Sequence, residues 1–361
     1  MRKSSRFLTR VYLVALGAFA VAYIYCEQQL QIPYPPSPAP TIVEIPRGAG
    51  GREVVRLLHD RNIIQNEYIA LGYLIVSGTR TRLRAGEYMF DKSMTIPEVV
   101  NKLVNDSVYL HRFTVPEGLT ISGVAERWEE QGFGRAEDFT KAAADSVSLI
   151  RDLDQESASL EGYLFPETYS FPSRTTARQA ITTMVSHFRA VVTRLQQTNP
   201  PERWPLNLRQ TVILASLIET EAAHDNERPI IGGVYLNRLT RHILLQCDPT
   251  VIYGLEQMNQ YRGSLTLQDL RSESPYNTYL HPGLPPGPIT NPGRSSLEAA
   301  VNPTPSDLLF FVRTSEGRHT FSDSLEAHNR AVSKYRLEKA QARRRVDREF
   351  EISNRRSSAR K

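Results

Sequence analysis

Asn207–Ala223 reads NLRQTVILASLIETEAA, and the fold is decided there. Glu219 follows Val212, Ala215 and Ser216 at helical spacing, with Ala222 and Ala223 after it. An acid on a stripe of small residues predicts a groove wall rather than a solvated helix face. Downstream lie Asn237-Arg238-Leu239, LQCDPTV (Leu245–Val251), YNTY (Tyr276–Tyr279) and GLPPGP (Gly283–Pro288). Loops so rich in Tyr, Asn, Thr and Gln suit a polyhydroxylated ligand, which needs aromatic faces and paired donors and acceptors. Gln246, Asp248, Thr250, Tyr276 and Asn277 are the candidate groove residues.

Working outward, a second helix is expected over Arg228–Thr240 and a long amphipathic one over Thr176–Gln197. Leu160–Pro172, LEGYLFPETYSFP, reads as an aromatic loop containing Glu161 and Glu167. Leu308–Arg313 and His319–Ser322 read as strands joined by a Glu316-Gly317 turn. Upstream, Thr41–Ile45 starts a strand and Arg52–Ile63 and Tyr68–Val76 are helical. Leu83–Phe90 is strand-like, and Thr95-Ile96-Pro97-Glu98 is a capping box opening a helix through Leu103. VEIPRG (Val43–Gly48) and FTVPEG (Phe113–Gly118) each look like a strand, a Pro-x-Gly turn and an amphipathic helix, a repeat that chance can also produce. Strands and helices mixed without βαβ regularity argue for an α+β fold.

The two ends differ from the middle. Arg2, Lys3, Arg6 and Arg10 precede an apolar run from Val11 to Cys26, bordered by Tyr23 and Tyr25. This is expected to be an uncleaved single-span anchor, with residues 1–10 cytoplasmic and the remainder exported. The rival is a cleaved signal peptide, for which Ala18-Phe19-Ala20 has the pattern. Residues 27–40 form a linker in which Gln31–Pro40, QIPYPPSPAP, should be an extended, semi-rigid spacer. From Arg336 to Lys361 ten basic residues face four acidic ones, so this tail carries +6 of a net +5 and the rest carries −1. That distribution argues against nucleic acid as the partner of the folded part. The tail reads either as an anion-contacting segment or as a solvated helix extension.

Cys26 lies in the span and Cys247 is the only other cysteine, so no disulfide is expected in the exported part. Cys247 reads as a small buried thiol. The eight histidines show no ligand spacing; no metal and no other cofactor is called, and His319 and His328 read as hydrogen-bonding residues.

Cleaving a glycosidic bond needs an acid at the leaving oxygen, and desolvation keeps a carboxyl protonated near neutral pH. Ordinary glycosidases add a second carboxylate. Glu221 follows Glu219 by two, which turns it about 200° away on a helix, so the two do not share a face. Spacing alone leaves both in play. Glu221 is then either a core-edge group with a partner such as Arg238 or a supporting group, and Glu219 can also be an ion-paired structural carboxylate.

ILASLIETEA, NRL, LQCDPTVIYG, YNTYLHPGLPPGPITNPG and GRHTFSDSLEAHN, in that order, resemble the MltG/YceG-like family of endolytic murein transglycosylases. The resemblance covers about Val43 to Tyr335 and includes LEGYLFPETY. It implies a LysM-like α+β module at 41–112 and a mixed α+β YceG-like catalytic domain at 113–335; the basic tail at 336–361 departs from the family pattern as an addition. The resemblance implies Glu219 as the catalytic acid/base. Asn237, Arg238 and Glu221 are placed as supporting residues. The chemistry implied is anhydrous cleavage of the MurNAc–GlcNAc β-1,4 bond in peptidoglycan, with the 6-hydroxyl closing a 1,6-anhydro ring. One carboxylate can then serve both proton transfers. Peptidoglycan polymerases are the implied partners, at the inner membrane of a bacterium. The alternatives are a hydrolytic muramidase and a catalytically silent glycan-binding scaffold.

Overall fold

The computed structural model describes residues 2–34, 40–105, 108–314 and 317–358, with side chains described between 10 and 341 in these ranges. The chain divides into two units, one of residues 1–112 and 170–174, the other of 113–169 and 175–361.

The N-terminal unit begins with helix α1 (Arg2–Gln31), followed by β1 (Thr41–Ile45), α2 (Gly51–Asp60), α3 (Glu67–Val76), β2 (Gly86–Phe90) and α4 (Ile96–Asn105). Of α1, Arg10–Gln31 is long and apolar enough to cross a membrane, and its side chains from Arg10 to Gln28 are exposed. Strands β1 and β2 pair antiparallel, with Val43 opposite Tyr88. Alternation sends Val43, Ile45, Tyr88 and Phe90 inward onto Val54, Leu58, Leu74, Val99 and Leu103. The expected capping box forms: Thr95 N–H donates to Glu98 (2.8 Å) and Glu98 N–H to Thr95 Oγ1 (3.3 Å).

Helix α1 continues through Gln31, into the segment expected as a linker. Leu30, at the end of α1, packs on this unit's core, and Tyr34 N–H donates to the Met94 carbonyl at 3.1 Å. Residues 35–39 of the spacer lie outside the described residues.

Next in the chain come β3 (His111–Thr114), α5 (Ile121–Glu130), α6 (Ala136–Ala144), β4 (Thr168–Phe171), α7 (Ala177–Thr198) and α8 (Leu208–Glu221). They are followed by α9 (Arg228–Thr240), α10 (Asp248–Gln257), α11 (Arg294–Val301), β5 (Phe310–Arg313), β6 (His319–Ser322) and α12 (Leu325–Ser358). Capping boxes start α7 (Thr176, Gln179) and α8 (Asn207, Gln210). Pro229 and Pro249 sit in the first turns of α9 and α10, where a missing N–H costs nothing.

Three expectations are revised. Every residue of α8 from Thr211 to Ile218 is buried, so it is the central helix of this unit rather than an amphipathic groove wall. Its small residues admit close neighbours: Ser216 Oγ accepts from Ile289 N–H at 3.1 Å. Ala222 caps the helix and Ala223 lies beyond it, so neither extends the stripe. The Leu245–Val251 stretch is not all loop, because Asp248 opens α10. The aromatic segment at 160–172 contains β4, a strand too short for its alternation to stand out. Strands β5 and β6 form a hairpin with Phe311 opposite Phe321; Glu316 of its turn lies outside the described residues.

Candidate active site

Glu219 occupies the last turn of α8, and its side chain is 6% exposed. Both its oxygens are engaged. Oε1 accepts from Arg228 Nη1 at 2.9 Å and Oε2 accepts from Gly293 N–H at 2.8 Å. Arg228, the first residue of α9, also donates to Ser296 Oγ (2.7 Å) and, through Nε, to Asp225 (3.0 Å). The ion-paired reading of Glu219 is therefore part of the site, because the carboxylate is held by a guanidinium and a backbone amide.

A second carboxylate stands beside it. Glu117, in the Pro-Glu-Gly turn after β3, comes within 3.9 Å of Arg228 Nη2. A Cβ added at Gly293 would lie 1.9 Å from Glu117 Oε1, so Glu117 and Glu219 flank the same glycine. Gly118, with φ +80°, makes the turn that only glycine adopts without strain. Burial, and then the neighbouring charge of Glu219, raise the Glu117 carboxyl above the ordinary glutamate range. Arg228 and Asp225 face it as well, as does Glu167.

Sequence reasoning assigned no role to Glu117, Arg228 or Gly293. A signal existed for the first. The two Pro-x-Gly turns share their geometry, with Gly48 at φ +79° and Gly118 at φ +80°, and where one copy carries Arg47 the other carries Glu117.

Glu221 points elsewhere, as its 200° offset requires. Its Oε1 accepts from Tyr235 Oη (3.4 Å) and Cys247 Sγ (3.5 Å), and burial raises both the carboxyl and the thiol. The expected partner Arg238 is not there. It donates instead to the carbonyls of Leu309, Leu244 and Leu245 and to Gln246 Oε1 (3.2 Å), and lies over the Phe310 ring. Tyr279 Oη donates to Asp248 Oδ1 at 2.6 Å. Arg238 and Gln246 are thus paired with each other and Asp248 with Tyr279, and the hydrogen bonds around Glu219 involve none of them.

The remaining candidates have backbone-shaping contacts. Thr250 Oγ1 is buried between the Cys247 carbonyl and Thr278. Asn277 donates to the Leu270 and Ser272 carbonyls, and Asn237 to those of Ser306 and Leu308. Tyr276 packs on Tyr253 at 4.8 Å, and Tyr253 Oη reaches Glu161 (3.5 Å). Glu161, read only as a loop residue, is buried and accepts from Ile121 N–H and Asn291. Burial pushes its carboxyl up to about 8. His319 Nδ1 bonds Glu227 at 2.8 Å, and His328 stacks on Phe310. Among the described residues, no group of three or more His, Cys, Asp or Glu is arranged to hold a metal ion.

A model of the YceG-like family matches residues 43–334. The chain belongs to the YceG-like family. The endolytic murein transglycosylase of Bacillus subtilis is 30% identical over 87% of this chain and 90% of its own length. The endolytic murein transglycosylase of Streptococcus pneumoniae D39 is 28% identical over 81% of this chain, which spans 58% of that protein. A crystal structure of a yceG-like protein from Listeria monocytogenes superposes with a TM-score of 0.55 at 32% identity, covering 82% of this chain and all of its own. All five motifs quoted from the sequence fall inside the family match.

Proposed function

We propose that this YceG-like chain is a membrane-anchored endolytic peptidoglycan lytic transglycosylase. It cleaves the MurNAc–GlcNAc β-1,4 bond of nascent glycan strands with 1,6-anhydroMurNAc formation and so ends their elongation. The observation that carries the reading is Glu219: a carboxyl at the end of a buried helix, shielded from water and fixed through both oxygens. In the forward step Glu219 delivers a proton to the glycosidic oxygen. It then takes the proton of the MurNAc 6-hydroxyl as that oxygen closes on C1. Arg228 and Gly293 N–H fix the carboxylate between the two transfers, which saves reorganisation. The names of the relatives support this substrate class. Gln246, Asp248, Thr250, Tyr276 and Asn277 are assigned to the glycan groove, directly or by shaping it. The N-terminal unit, as a LysM-like module, grips glycan. Residues 11–26 span the inner membrane, the catalytic part faces the cell wall, and the polymerases that make the strands are the partners.

Glu117 favours a second reading, a hydrolytic muramidase. A second carboxyl beside Glu219 is what a two-carboxylate mechanism requires, one group as the acid and the other as the base that activates water. The product end separates the two. Purified sacculi are digested with the detergent-solubilised full chain and the fragments weighed by mass spectrometry. Anhydro ends, lighter by one water, are expected. Reducing ends establish the muramidase, and no released fragment from a folded chain leaves only a glycan-binding scaffold.

A further inference from the structure

Helix α3 reads EYIALGYLIV, and Glu67 in its first turn is its one charged residue. A helix this apolar is ordinarily buried all round. Here Ala70 and Leu74 are buried in the core of the N-terminal unit, and Ile69, Leu71 and Tyr73 pack partly buried against it. Tyr68, Ile75 and Val76 are 79%, 57% and 88% exposed. Their spacing of seven and eight residues puts them on one helix face. Scattered apolar residues on a surface need no explanation, but three on one face of so apolar a helix, at its first and last turns, do.

Two further observations say what covers it. First, the end of α1 is built into the same unit. Leu30 packs on its core, and Gln29, Ile32 and Tyr34 line a small cleft with Ile64, Gln65, Asn66, Met94 and Ile96. Asn66 is the N-cap of α3, accepting from Tyr68 N–H at 3.0 Å. The apolar segment Arg10–Gln31 has 22 residues and spans ~33 Å, against a hydrocarbon thickness of ~30 Å. A span of that length places Gln31, and the start of α3 with it, at headgroup depth. Second, the chain leaving α3 carries Arg80, Arg82 and Arg84, all exposed and none paired with a carboxylate among the described residues. An aromatic and aliphatic stripe edged by arginines is the composition of a surface that lies in the lipid interface.

We propose that the α3 face of Tyr68, Ile75 and Val76, edged by Arg80, Arg82 and Arg84, docks on the anionic lipid surface of the membrane that α1 spans. This rests on the reading of α1 as an anchor. The apolar side chains enter the headgroup–acyl boundary and the guanidinium groups meet lipid phosphates. The N-terminal unit is thereby laid on the bilayer instead of swinging above it.

The full chain with Cys26→Ser and Val76→Cys carries a polarity-sensitive fluorophore at position 76, Cys247 being buried. It is reconstituted in vesicles of equal parts phosphatidylglycerol and phosphatidylcholine. Lipids brominated near the glycerol end of their acyl chains should remove most of the emission. Arg80→Gln, Arg82→Gln, Arg84→Gln together should weaken the quenching. A chain that floats with the vesicles while the label at 76 stays unquenched overturns the proposal. So does a signal that follows protein density rather than bromination, which would show the face pairing with a second copy. A chain that stays soluble without detergent removes the anchor and the docking surface together.

Discussion

Glu219 and Glu221 lie two residues apart and serve different surroundings. Replacing Glu219 by Gln keeps the acceptor for Arg228 but leaves nothing that can give and retake a proton. We expect product formation to fall by about 10²–10⁴-fold. Arg228 loses an ionic partner, so the melting temperature should fall slightly, by the equivalent of about 1 kcal/mol. Pairing thus replaces the gain in stability that an unpaired buried acid would have given up on removal. Glu221→Gln should leave more activity, since Tyr235 and Cys247 can still donate to the amide oxygen. Sacculus digestion and thermal melts on both variants check this, and a Glu219→Gln enzyme with near wild-type release would move the assignment to Glu221. Glu161 gives a pH signature. Its carboxyl is raised to about 8 in the fold against 4.5 unfolded, so the folded state holds the extra proton between those values. Stability is full below about pH 4.5 and declines as pH rises toward 8, by on the order of 2–4 kcal/mol. Melts across that range should show the slope, and Glu161→Gln should flatten it.

At the scale of elements, the site is the meeting of three segment ends: the last turn of α8, the start of α9 and the residue before α11. Gly293 holds that junction. Gly293→Ala would push a methyl into Glu117 Oε1, which lies 1.9 Å from its place. Activity should drop well beyond any change in melting temperature. Equal losses of both would make the glycine a packing residue. The helices themselves were legible. Thr176/Gln179 and Asn207/Gln210 announce their starts through the hydrogen bonds they make, and Arg228–Thr240 ends where its pattern ends. What was not legible is convergence. Glu117, Glu219 and Gly293 are brought together from far apart in the chain, and neither periodicity nor spacing encodes such contacts. Burial on all sides of α8 was hidden for a related reason: a small-residue stripe looks the same facing a groove or facing another helix. Asp248, ahead of Pro249-Thr250, reads equally as a turn or a helix-cap residue, because proline breaks helices everywhere except at their first positions, and it opens α10 with Cys247 as the N-cap.

For the whole molecule, the consequence to test is topology. With four basic residues before the apolar run, everything beyond it should lie outside the cytoplasm. A reporter that works only after export, fused behind Lys361, should be active, and the chain should stay with the membrane fraction. A soluble, shortened form would make residues 1–26 a cleaved leader instead.

Arg228 is outnumbered. Glu117, Glu219 and Asp225 all reach for this one guanidinium, so once Glu219 has given up its proton the cluster carries a formal excess of two negative charges. An oxocarbenium-like sugar develops positive charge at its ring, and a field of that sign rewards it most at the transition state. The same field invites inhibition. A sugar analogue with a protonated ring nitrogen should compete with glycan far better than its uncharged counterpart of equal shape. Its advantage in Ki should shrink as salt is added and vanish in Glu117→Gln, Glu219→Gln.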